Sequence, residues 1–125
     1  MEKKEVYELS IVFSGLYEGD TYWFTSNSDI ITVNRRDYRY GFNRVEEVFK
    51  TYLDVAKEWK DEYHEPQILD GINCTVALHD ESDKIVKLTR CHNKFPDGFD
   101  KLQAFLDEIN REIETSEMPE VSELV

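Results

Sequence analysis

Long apolar runs are missing from this chain. No stretch approaches the roughly 18 consecutive apolar residues that a membrane-spanning helix needs, and the opening MEKKEVYELS carries charges where a secretory leader has its apolar region. A cytoplasmic location and no membrane partner are therefore expected. Cysteine is scarce too, with two residues, Cys74 and Cys91, which read as free thiols rather than as a disulfide framework. Five scattered glycines leave no phosphate-cradling loop, and neither a nucleophile elbow nor an HExxH segment occurs. The expectation is a protein without catalytic residues or cofactor. Positive charge is also in short supply. Against 27 acidic residues stand 15 basic ones, a net charge of −12. Direct binding to nucleic acid needs clustered cations, so it is disfavoured.

What is present suffices for a folded domain. Hydrophobic residues make up 40% and aromatics 13% of 125 residues, enough to overcome the disordering effect of the charge. The charge is uneven: residues 97–125 hold nine acids and two bases, a net −7.

Tyr7, Leu9, Ile11 and Phe13 alternate with polar neighbours, the two-residue period of a half-buried strand. Beyond the turn residues 18–20, TYWFTS is aromatic and β-branched, and beyond 27–29 so is IITV. Three short strands are expected. Asn43, three residues before Glu46, then suggests a helix start. Val45, Val48, Phe49, Tyr52, Val55, Ala56, Trp59 and Tyr63 follow at helical spacing. Pro66 and Asp70-Gly71 close that region. INCTVALH and KIVKLTRC read as a hairpin around residues 81–83. Pairing Asp80 with Lys84 sets Cys74, Val76 and Leu78 on one face with Val86 and Leu88. Pro96 ends the second strand, Asp97 is a candidate cap, and Phe99, Leu102, Phe105, Leu106, Ile109 and Ile113 form the apolar stripe of a second helix. The fold class is α+β, in the order βββ-α-ββ-α, with a mainly antiparallel sheet and both helices on one face. Residues 1–115 form the domain and 116–125 an acidic tail expected to be mobile.

Three sets of residues are candidates for chemistry. Cys74, His79, Cys91 and His92 are the candidate metal ligands. In the expected register Cys91 points away from Cys74 and sits opposite Asn73, about 20 Å of strand from His79, so no metal site is expected. Arg35, Arg36 and Arg39 with Tyr38 form the one basic cluster, a candidate grip for a nucleotide or anionic metabolite. Asp100, Asp107, Glu108, Glu112 and Glu114 make the second helix strongly acidic, a candidate surface for a protein partner with a basic face.

The C-terminal half resembles a broad group of small bacterial proteins without an established activity. Their pattern is WK near a helix end, DGxxW opening a hairpin, and GxNxYP before a helix starting FxxL. Trp59-Lys60, Asp70-Gly71, Asn93, Phe95-Pro96, Phe99 and Leu102 carry the resemblance, while Cys74 stands at its Trp and Cys91 at its Gly. The resemblance implies structural roles for Asn93 and Pro96, at a strand end and a helix start. Taken together, size, charge and the missing catalytic patterns point to a protein-binding inhibitor of the immunity, antitoxin or phage counter-defence kind, with a small-ligand module as the alternative.

Overall fold

A computed structural model describes residues 6–15, 19–65 and 71–121. The alternation of Leu9, Ile11 and Phe13 becomes β1 (Glu8–Ser14), which lies at the middle of a seven-stranded sheet. On one side it pairs with β2 (Thr21–Thr25), which is followed outward by β3 (Ile30–Val33) and β4 (Arg36–Arg39). On the other side it pairs with β6 (Asn73–His79), then β7 (Ile85–His92), with β5 (Glu62–His64) outermost. Five of these pairings are antiparallel and the β5–β7 pairing is parallel. The helices are α1 (Phe42–Val55) and α2 (Phe99–Glu114).

The α+β class, the mainly antiparallel sheet and the two helices agree with the sequence reading. The element order does not, because two strands went unforeseen. In the basic segment after β3, Asn34 and Arg35 turn tightly at φ of 50° and 71° and lead into β4. Both residues adopt positive φ, as a two-residue hairpin turn with the twist of its strands requires. At the other site, the apolar series from Val45 to Tyr63 is not one helix. α1 ends at Val55, a short 3-10 turn (Ala56–Glu58) follows, and Tyr63 belongs to β5. Neither expected cap is used: Gly41 and Gly98 occupy the N-cap positions, without a side-chain cap.

The hairpin of β6 and β7 starts as expected, with the Asp80 N–H donating to the Lys84 carbonyl. Then His79 pairs with Ile85 but Leu78 with Lys87, so Val86 is an extra residue, a bulge. A shift of one residue exchanges faces. Val86 is exposed, Leu88 lies opposite Ala77, and Cys91 lies opposite Cys74 rather than opposite Asn73.

One sheet face carries Leu9, Ile11, Phe24, Ile31, Val76 and Cys74 into a core shared with Val45, Val48 and Tyr52 of α1 and Leu102, Leu106 and Ile109 of α2. The other face holds Ser10, Trp23, Thr32, Thr75 and His92 and is covered by no described helix. Residues 116–121, the first part of the expected tail, fold back along β4: the Arg39 N–H donates to the Pro119 carbonyl, the Val121 N–H to that of Asp37, and Met118 is buried. Pro66, Asp70 and residues 122–125 lie outside the described residues. No described helix is long and apolar enough to cross a membrane.

Candidate functional site

A cleft of about 1090 Å³ opens where the end of β1, the start of β2 and the start of β6 meet the N-terminal half of α2. Its floor is aromatic. Phe13 meets Tyr22 and Phe99 edge-on at ring-centroid distances of 6.2 and 6.3 Å, and Phe95 lies 4.7 Å from Phe99. Such pairs add directional contact to burial. Ile72, more than half exposed, forms one lip.

Local structure holds these groups in place. The Trp59 indole N–H donates to the Asp97 carbonyl at 2.9 Å, tying the loop before α2 to the end of the α1 segment. Gly98 turns into the helix at φ 90° against Val55, a conformation that side chains disfavour. Asn93, at φ 59°, accepts the Ile72 N–H through its side-chain oxygen at 2.8 Å.

The rim is anionic. Asp20 comes from the start of β2, Asp97 from the loop, and Asp100 and Asp107 from one stripe of α2, with Gln103 and Ala104 between them. Among the described lining residues there is no lysine, arginine or histidine. The Tyr22 hydroxyl donates to the Asn110 side-chain oxygen at 2.8 Å, and burial, with the Asp20 carboxylate adding to it, pushes its pKa up to about 12. It stays a neutral donor at physiological pH.

The five acidic residues singled out from α2 go to three places. Asp100 and Asp107 face the cleft. Glu108 and Glu112 are engaged by Arg44 of α1, whose guanidinium also lies 4.0 Å above the Tyr40 ring. The hydrogen bond from Arg44 holds the Glu112 carboxyl below the usual range. Glu114 lines a separate, smaller hollow with Arg36 and Tyr38. Nothing in the sequence marks Asp20, Tyr22 and Asp97 as parts of one site, since they come from distant segments that only the fold unites.

The basic cluster is divided by its strand. Arg35 is in the turn, Tyr38 is buried on the helix-covered face, and Arg39 on the opposite face pairs with Asp29 at 2.5 Å. The candidate metal ligands are divided as well. Cys74 and Cys91 share the core, while His79 and His92 stand on the open face at opposite ends of β6 and β7, where His92 bonds the Asn73 side chain and stacks on His64 at 4.9 Å. No group of three His, Cys, Asp or Glu among the described residues is arranged to hold a metal ion.

On the open face Ser10 Oγ lies 3.3 Å from His79 Nε2, and His79 Nδ1 lies 3.6 Å from Asp83, with Trp23 stacked on the imidazole at 5.2 Å. The composition is that of a hydrolytic triad, but the setting is not. Ser10 is in mid-strand between Trp23 and Ala77 and only 5% exposed. Its neighbouring amides are committed to the sheet and unavailable to an oxyanion. Comparison with protein-family models, with curated proteins and with solved structures finds no match.

Proposed function

We propose that this protein is a non-enzymatic binder that captures a basic, apolar-sided segment of a protein partner in its acidic cleft and so blocks that partner, in the manner of an immunity, antitoxin or phage counter-defence protein. The observation that carries this reading is the pairing of an aromatic floor with four rim aspartates and no cation in the described lining. Lysine and arginine side chains match such a site in two ways: their aliphatic stems lie along apolar surface while their charged heads reach the rim, and their cations gain from aromatic faces. The overall acidity speeds encounter with a basic surface.

The alternative, an anionic ligand held by Arg35, Arg36, Tyr38 and Arg39, has less geometric support, because Tyr38 is inside the core and Arg39 already has a carboxylate partner.

The test is an NMR titration of the protein with short amidated peptides alternating arginine and leucine, against matched peptides alternating glutamate and leucine. Shifts at Ile72, Phe99, Gln103 and Ala104 with the basic peptides alone are expected. Asp100→Lys with Asp107→Lys should weaken that binding at least about tenfold. Equal response to both peptides, or none at the cleft, would sink the reading.

A further inference from the structure

Cys74 and Cys91 are directly opposite on the antiparallel pair β6–β7, both on the core face and 1% and 2% exposed. The ladder settles which kind of pair they form. The Asn93 N–H donates to the Ile72 carbonyl across the same register, so every second pair from there exchanges backbone hydrogen bonds, and Cys74–Cys91 is one of them. Alpha carbons in such a pair lie about 5.5 Å apart, within the span a disulfide bridges. The side chains stand nearly parallel and somewhat farther apart than a bridge prefers, so closing it draws the strands together. A bridge formed under such strain belongs to the readily reduced class.

We propose that Cys74 and Cys91 are a reversible oxidation site that takes an oxidant of the disulfide class. Burial pushes both thiols up, Cys91 to about 11 and Cys74 further with Cys91 beside it, so both are inert while the hairpin is closed. Cys91, paired with Tyr63 of the edge strand β5, attacks first when the hairpin opens. Its thiolate displaces one thiol from a small disulfide such as oxidised glutathione, leaving a mixed disulfide. The Cys74 thiolate then displaces the second. The protein gives up two electrons and two protons, and the oxidant leaves as two thiols. This site does not depend on what the cleft binds.

The test equilibrates the protein in mixtures of oxidised and reduced glutathione, folded and in denaturant, then quenches with acid, denatures, labels with a maleimide and weighs the product. The folded protein should lose both labels together and two hydrogens of mass, at an oxidised-to-reduced ratio about tenfold higher than the denatured chain needs, because the strained bridge is the more easily reduced. Excess reduced glutathione should restore both labels. Cys74→Ser, or Cys91→Ser if the first does not fold, should keep its single label or carry one glutathione. Two labels at every ratio, glutathione adducts in place of the bridge, a folded protein bridged as readily as the denatured chain, or a bridge that resists excess glutathione would each overturn the proposal.

Discussion

Arg44 concentrates three interactions in one side chain: ion pairs to Glu108 and Glu112 and a cation above Tyr40. It is about one-third exposed, so solvent screens the ion pairs and each contributes modestly. Adding the ring contact and the packing of its stem, Arg44→Ala is expected to lower stability by about 1–2 kcal/mol. The pH dependence identifies the source. Arg44 holds the Glu112 carboxyl below its ordinary range, and a depressed carboxyl stabilises the fold fully above its unfolded value of about 4.3, losing that contribution as pH falls through the folded value. The stability gap between wild type and Arg44→Ala, measured by urea unfolding, should therefore be widest near neutrality and narrow below about pH 4, leaving the Tyr40 contact. A gap unchanged in acid would mean that the ion pairs contribute nothing.

At the scale of elements, what could be read in advance follows from how local each cause is. The apolar stripe of α2 and the alternation of β1 are periodic in the chain itself, and both elements form where expected. β5 is three residues long and exists because β7 offers it an edge, a partner 28 residues away. The Val86 bulge left no composition signal, yet it reverses the face of every β7 residue after it. Gly98 is a junction of this non-local kind. A Cβ there would lie 2.8 Å from the Cβ of Val55 and would have to adopt φ 90°. The positive φ alone costs a side chain about 1–2 kcal/mol, and the close contact adds to it. Gly98→Ala should lower the urea midpoint by the equivalent of about 2 kcal/mol or more. Adding Val55→Ala removes the Cγ1 contact at 2.9 Å but keeps the Cβ, so it should recover only part of the steric share. A loss under about 0.5 kcal/mol would show that the loop before α2 yields freely, and that it does not fix the cleft wall.

For the whole molecule, the question is whether net charge or its arrangement does the recognising. Half of the cleft's acidic rim was legible, because Asp100 and Asp107 lie on one helix stripe. Asp20 and Asp97 were not, because their place follows from the sheet order and from the Trp59–Asp97 bond. A chain of net charge −12 attracts cations over its whole surface at low salt, but at 0.1 M salt that attraction is screened beyond about 10 Å. Two charge-matched variants separate the terms. Asp100→Asn with Asp107→Asn neutralises the rim, and Glu47→Gln with Glu58→Gln removes the same charge from the exposed side of the α1 segment. At low salt both should slow association with a basic, apolar peptide to a similar degree, since both reduce the long-range field. At 0.15 M salt only the rim variant should still differ from wild type, through faster dissociation, because its lost contacts are short-range and partly desolvated. Equal behaviour of the two variants at both salt concentrations would make the acidity a general property of the surface and remove the cleft from recognition.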